Sequence, residues 1–221
     1  MDLTPGSSTF AGPVDSLFTT VLIITGAAFV LVESILIYTL VRFRRREGKK
    51  AVFTFGNRRL ELFWTVIPGL MLLWLAIFQY NTWVNAKIFV PEGDDALTVL
   101  VSANQFEWQA VYPGPDNQLE TADDITAPIN VMHFPVNRAV VIRLTAEDVI
   151  HSFFIPALRV KQDALPGREI RFWFEATEPG QHELVCAELC GLGHYRMRGQ
   201  VIIESQDEFD AWLADIVTRS Q

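Results

Sequence analysis

The sequence predicts two membrane-spanning helices followed by an all-β sandwich that ends in a C-terminal helix. Three observations carry that fold class. Two long apolar runs stand near the N-terminus, a block of basic residues separates them, and the remainder alternates short Val-, Ile-, Phe- and Thr-rich segments with Pro/Gly turns. Half of the 221 residues are hydrophobic, enough for one or two compact units.

The first run extends from Leu17 to Val41 and is broken only by Glu33; the second extends from Leu60 to Tyr80 with Glu61 as its only charge. Each exceeds the roughly 20 helical residues that cross a hydrocarbon core. A pair of buried helices in a soluble protein is the plainer alternative, but a globular core rarely supplies two such runs so close together. Pro68 lies inside the second run, where a membrane helix tolerates it if neighbours satisfy the freed carbonyl.

Between the runs lie Arg42, Arg44, Arg45, Arg46, Lys49, Lys50, Arg58 and Arg59, which are 8 of the chain's 18 basic residues. Lys and Arg gather in cytoplasmic loops, so this loop is expected inside, with both termini and everything after Tyr80 on the outer, periplasmic face of a bacterial-type inner membrane. The block is read for orientation and not as a nucleic-acid site. Met1 to Ser16 holds Asp2 and Asp15 but no basic residue, unlike the positive start of a signal peptide. The first helix is therefore expected to act as its own export signal. The expected organisation is an exported segment 1–16, a helical hairpin 17–80 with its basic loop 42–59, a β domain 81–205 and a helix 206–221.

From Asn81 onward there are 10 basic and 21 acidic residues. Such a domain attracts a basic partner in a salt-dependent way, although solubility alone also accounts for an acidic surface. Leu97–Ala103, Ala139–Ala146, Ile170–Ala176 and Gly199–Glu204 read as strands. Pro113-Gly114-Pro115, Pro135-Val136-Asn137, Pro166-Gly167 and Pro179-Gly180 read as turns. Regular short strands favour an antiparallel sandwich. Phe209, Trp212, Leu213 and Ile216 recur at helical spacing within Gln206–Thr218.

The chemistry gathers in Cys186-Ala-Glu-Leu-Cys190-Gly-Leu-Gly-His194-Tyr-Arg-Met197, which contains both cysteines of the chain, an imidazole and a thioether. Soft sulfur with imidazole suits copper, and His151, in Asp148-Val-Ile-His151-Ser-Phe-Phe, offers a second imidazole at the expected start of a strand. Gly191 and Gly193 let the loop turn tightly. Other readings stand beside copper. An exported cysteine pair can form a disulfide, and zinc could take both cysteines with both histidines but would leave Met197 idle. A mononuclear blue copper would leave one cysteine over. Two thiolates with two imidazoles also allow a paired site with both sulfurs bridging two ions.

The string Cys-x-Glu-x-Cys-x-x-x-His-x-x-Met resembles subunit II of the cytochrome c oxidases. So do Asp-Val-Ile-His-Ser-Phe upstream and Lys161-Gln-Asp163-Ala-Leu-Pro-Gly-Arg168. Two N-terminal spans before an exported β domain extend the likeness over nearly the whole chain. The resemblance implies a cupredoxin-like sandwich holding two copper ions as a CuA centre. Cys186 and Cys190 would bridge the ions, and His151 and His194 would cap one each. Met197 and the backbone carbonyl of Glu188 would be weak outer ligands. It further implies that the Glu188 carboxylate reaches a magnesium ion shared with subunit I, a hard cation suited to oxygen.

By the same resemblance, Glu61 stands at the mouth of a proton path into subunit I, although a plain juxtamembrane charge beside Arg58 and Arg59 fits nearly as well. Glu147 and Asp148 match a donor-docking patch, with orientation of the His151 loop as the other use of Asp148. Where the family carries Gln-Trp-x-Trp, with the first Trp as electron port, this chain reads Gln105-Phe106-Glu107-Trp108. Phe106, Trp108 and Tyr112 are then the candidate ports. The implied partners are subunit I, subunit III, membrane lipid and cytochrome c or a similar donor. No cysteine is spare for a covalent haem c, and His133 and His182 read as ordinary strand or turn residues. A structural subunit without copper, as in related quinol oxidases, is opposed by the ligand string. The copper domain of nitrous oxide reductase, which shares that string, is opposed by the two spans.

Overall fold

In the computed structural model the described residues are 6–219 except Glu92 and Asp94, so Asp2 and the outer ends of the first and last predicted segments lie outside them. The chain divides into two compact units, one of residues 15–81 and one formed by the residues up to 14 together with those from 82 on.

The first unit holds α1 (Ala11–Arg42) and most of α2 (Arg58–Trp83). Both are long and apolar enough to cross a membrane, and their apolar side chains are exposed along their length. α1 starts earlier than the Leu17 that opens its apolar run, because Ala11 to Ser16 continues the helical backbone. Asn57 caps α2, its Oδ1 accepting the backbone N–H groups of Arg59 and Leu60 at 3.0 and 3.3 Å, one of the side chains that satisfies orphan donors at a helix start. Pro68 sits inside α2 without ending it.

The second unit is a sandwich of two five-stranded sheets. The first runs β3-β2-β1-β5-β8, and the second β4-β10-β9-β6-β7. The strands are β1 (Leu97–Asn104), β2 (Glu107–Tyr112), β3 (Ile125–Thr126), β4 (Val131–Pro135), β5 (Ala139–Ala146), β6 (His151–Ile155), β7 (Val160–Ala164), β8 (Ile170–Glu175), β9 (Gly180–Cys186) and β10 (Arg198–Glu204). The sheets are mixed and not purely antiparallel: β1 pairs parallel with β5, and β4 parallel with β10. Periodicity reveals a strand but not its direction, which is set by long-range connections that local turn residues do not encode. The alternating burial of β1 and β2 places Val99, Val101, Trp108 and Ala110 in the core with Ile142, Leu144, Phe153, Phe172 and Phe174 from other strands.

Ser7 to Phe10 is no loose leader but an added edge of this sandwich. Ser7 N–H donates to Ala157 O at 2.9 Å, Thr9 N–H to Glu175 O at 3.1 Å, and Ser8 Oγ to Leu158 O at 2.6 Å. The Phe10 ring meets Trp173 edge to face at 4.8 Å. A single π-helical turn, Val84–Ile88, follows α2. Trp173 Nε1 donates to Asn85 O at 3.0 Å and Lys87 Nζ donates to Lys161 O at 2.7 Å, which fasten that turn to β8 and β7.

The closing helix α3 (Gln206–Arg219) begins with a capping box. The Glu208 carboxylate accepts from Ser205 N–H at 3.0 Å while Ser205 Oγ accepts from Glu208 N–H at 3.3 Å, a reciprocal arrangement that satisfies two orphan groups. Phe209 enters the core against Tyr112, and Trp212 stacks on His133 with ring centroids 3.9 Å apart. Phe209→Ala should destabilise the β unit by about 3–5 kcal/mol in urea unfolding, with no change at the sulfur cluster, whose residues lie on other elements.

Candidate metal centre

The loop that joins β9 to β10 carries the sulfur ligands, and its two ends are tied together. Cys186 N–H donates to Met197 O at 3.1 Å, and Ala187 N–H donates to Ser152 O at 2.9 Å on β6. His151 opens β6, which pairs with β9 through Phe153 opposite Cys186. A histidine 35 residues upstream in sequence therefore stands one strand away from the cysteines.

The donor atoms converge. Cys186 Sγ and Cys190 Sγ are 3.8 Å apart and both thiols are free, far beyond the roughly 2.05 Å of a disulfide. His151 Nδ1 is 3.9 Å from Cys186 Sγ and 3.2 Å from Met197 Sδ. His194 Nδ1 is 3.7 Å from Cys190 Sγ, and the Glu188 carbonyl oxygen is 3.2 Å from Cys186 Sγ. His151, Cys186 and Cys190 form a group whose ligand atoms lie within 4.8 Å of one another, and His194 falls outside it. Each imidazole thus approaches a different thiol, His151 that of Cys186 and His194 that of Cys190. His151 has no exposed surface, Met197 is 1% exposed, and Cys186 and Cys190 are nearly as enclosed.

Hydrogen bonding sets which nitrogen of His151 is available. His151 Nε2 lies 2.8 Å from Asp148 Oδ1, and a carboxylate can only accept. The proton is therefore on Nε2, and the Nδ1 lone pair faces the sulfurs. Asp148 also accepts from Val149 N–H at 2.6 Å and from Gln105 N–H at 2.8 Å. Burial alone would raise its carboxyl, but these three hydrogen bonds outweigh that effect and hold it below the ordinary carboxylate range. Burial, reinforced by the neighbouring Cys186 thiol, pushes the Cys190 thiol up to about 11. A metal taking it as thiolate has to displace that proton.

The loop's backbone depends on its glycines. Gly191 has φ +138, a left-handed conformation that side chains resist. Gly193 has an ordinary φ of −93 but lies directly under the Phe106 ring, so a Cβ there would collide with it. Phe106 is half-buried, lying on the ligand loop with the Arg196 guanidinium 5.7 Å from its ring centroid. Gln105 donates its side-chain amide to Cys190 O. Trp108 is wholly buried, 6.2 Å from the His151 ring and 5.5 Å from Phe153.

The structure therefore brings together His151, Cys186, Cys190, His194, Met197 and the Glu188 carbonyl, with Asp148, Phe106 and Trp108 around them. It does not bring Tyr112 there, because that side chain is buried beneath α3 with its hydroxyl bonded to His133 O at 3.0 Å. The Glu188 side chain and Glu147 are exposed, and Glu61 stands in the first turn of α2 in the other unit. His133 and His182 lie in β4 and β9, as strand residues. Gln105 and Arg196 carry no signal in the sequence, because a lone polar residue reveals its partner only when the loops close.

A soft, enclosed set of two thiols, two imidazoles and a thioether in a β-sandwich that follows two membrane-type helices in the chain defines a membrane-anchored cupredoxin-like protein. Comparison with known proteins places it more closely. The family described as cytochrome c oxidase subunit II, periplasmic domain, matches residues 95–206, and the matching transmembrane domain covers residues 1–82. An alternative cytochrome c oxidase subunit 2 of Bradyrhizobium diazoefficiens is 30% identical over 91% of this chain and 79% of its own length. The subunit 2 of Cereibacter sphaeroides is 31% identical over 95% of this chain and 78% of its own. The solved periplasmic domain of oxidase subunit II from Bradyrhizobium japonicum is 32% identical, covering 59% of this chain and 99% of that one with a TM-score of 0.49. The chain belongs to the cytochrome c oxidase subunit II family, a component of haem-copper oxidoreductases.

Because Asp148 fixes the His151 tautomer, Asp148→Ala should weaken copper binding about 10–100-fold. Glu147→Ala, which touches no ligand, should leave it unchanged; competition with a copper chelator measures both.

Proposed function

We propose that this chain is the electron-input subunit of a respiratory cytochrome c oxidase. It takes single electrons from cytochrome c on the outer face and passes them to haem in subunit I, where oxygen is reduced to water and protons are pumped. The observation that carries this reading is that the imidazoles approach different members of one thiol pair, His151 Nδ1 at 3.9 Å from Cys186 Sγ and His194 Nδ1 at 3.7 Å from Cys190 Sγ. A single tetrahedral zinc would draw all four donors around one point, whereas two metal positions sharing both sulfurs need the histidines apart. The bound group is a pair of copper ions of the CuA type, which supplies one-electron redox chemistry.

The protein's own part is to hold the donors still. Cys186, Cys190, His151 and His194 would hold the ions, the imidazoles through Nδ1, with Met197 and the Glu188 carbonyl as weaker donors beside them. All but His151, which stands on the neighbouring strand β6, sit on a hairpin closed by backbone hydrogen bonds, so little has to rearrange when charge changes. The exposed Glu188 carboxylate is free to reach a magnesium ion shared with subunit I. Placement supports the other assignments. Phe106 is the only candidate port with a surface to offer a donor. Trp108 is enclosed and can act only behind it, and Tyr112 belongs to the packing of α3. Exposed Glu147 and Asp148 flank the port on the donor side, and Glu61 at the start of α2 is the acidic group at a proton path. Subunit III and membrane lipid complete the surroundings. Both termini and the β unit lie on the outer, periplasmic face and the basic loop on the cytoplasmic face.

Two experiments test the reading. In the copper-loaded protein, electron paramagnetic resonance should show one unpaired electron shared over two equivalent copper nuclei. Cys186→Ser should abolish that signal and lower the copper content; zinc in the site, a single-copper spectrum or an unchanged count in the variant would refute the paired centre. Phe106→Ala should slow oxidation of reduced cytochrome c with the copper spectrum preserved, and a normal rate would remove Phe106 as the port.

A further inference from the structure

The loop between the two spans carries more than an orientation signal. Arg42, Arg44, Arg45, Arg46, Lys49 and Lys50 line one concavity of about 680 Å³, closed on its other side by Phe43, Ala51, Val52 and Thr54. None of the six basic side chains has a carboxylate partner among the described residues. Glu47 is the only acid in the stretch from Arg42 to Arg59. Six like charges around one hollow repel one another, and the cost falls when an anion enters. Beside the hollow, Phe53 and Phe55 are 79% and 97% exposed and meet edge to face at 5.0 Å. Orientation in the membrane requires basic residues in the loop, but it requires neither a concavity nor bare aromatic rings. A basic hollow with apolar groups at its rim matches a ligand with an anionic head and an apolar body.

We propose that this loop binds an anionic phospholipid of the adjoining leaflet. The phosphate is held by the arginine forks and lysine ammonium groups, to which it can accept paired charge-assisted hydrogen bonds. Phe53 and Phe55 lie in the interfacial region beside the glycerol and upper acyl chain, where aromatic rings are favourably placed. A free phosphate ion would fill the hollow but would leave both rings in water, so the lipid is the better match. The inference rests on α1 and α2 crossing the bilayer and is independent of the copper chemistry.

The test uses the full chain in phosphatidylcholine vesicles, with the immobilised fraction of spin-labelled phosphatidylglycerol compared with that of spin-labelled phosphatidylcholine. Protease access to the β unit reports orientation. Each basic residue near an anionic surface is worth roughly fivefold in affinity, so a preference of about fivefold or more for phosphatidylglycerol is expected. Lys49→Gln with Lys50→Gln leaves all six arginines of the loop to set orientation and should lower that preference. Phe53→Ser with Phe55→Ser alters no charge and should lower the immobilised fraction of phosphatidylglycerol. Equal retention of the two lipids by the unaltered chain would overturn the proposal, as would a Phe53/Phe55 double variant that immobilises as much phosphatidylglycerol as the unaltered chain. Full displacement of the labelled lipid by inorganic phosphate would show a free-phosphate site instead. Disappearance of the preference in the whole oxidase, together with crosslinking of the loop to a neighbouring subunit, would assign the hollow to that subunit.

Discussion

The hydrogen bond from Cys186 N–H to Met197 O is the constraint on which the site depends. It closes the β9–β10 connection at its base, so the residues between those two positions form a loop with fixed ends and cannot splay. Four of the side-chain donors lie on that loop. The fifth, His151, comes from β6, which the sheet's register holds against β9 with Phe153 opposite Cys186. A ligand set within about half an ångström of working geometry needs such support from rigid elements, and here the sheet supplies it before any metal arrives.

The loop's second support comes from the opposite sheet. Gln105 and Phe106 sit in the turn between β1 and β2, and they reach across to it in different ways. The Gln105 amide holds the Cys190 carbonyl, and the Phe106 ring covers the backbone at Gly193. Asp148 joins this turn to the ligands, accepting from Gln105 N–H with one carboxylate oxygen and from His151 with the other. The surface where a donor would arrive and the buried imidazole that would hold copper are therefore two ends of one short network. A change at either end is felt through the Asp148 carboxylate.

Much of this was legible in the sequence, for identifiable reasons. The spans declare themselves by length and lack of charge, β5 by its apolar pattern from Ala139 to Ala146, and α3 by its Phe209–Trp212–Leu213–Ile216 spacing. The sulfur-rich loop was legible because its donors are close in sequence and its chemistry is unusual. The illegible parts are those set by long-range closure. Nothing local tells that β1 runs parallel to β5, that Ser7 to Phe10 returns to the sandwich edge, or that Tyr112 faces α3 while Trp108 faces His151. The last pair is instructive. Both are inward-facing aromatics of the same strand, four residues apart, and burial alternation puts them on one face without saying what lies opposite.

Trp108 also carries a polar cost that a phenylalanine would avoid. Its indole N–H is buried and has no hydrogen-bond partner among the described residues, which costs about 1–3 kcal/mol. Edge-to-face contact with Phe153 returns about 0.5–1.5 kcal/mol, an amount that another aromatic residue would return equally. The larger indole also buries more apolar surface than phenylalanine would, which offsets the cost of the buried N–H. It meets the His151 ring edge to face, with centroids 6.2 Å apart, and so packs against the buried imidazole of the sulfur site.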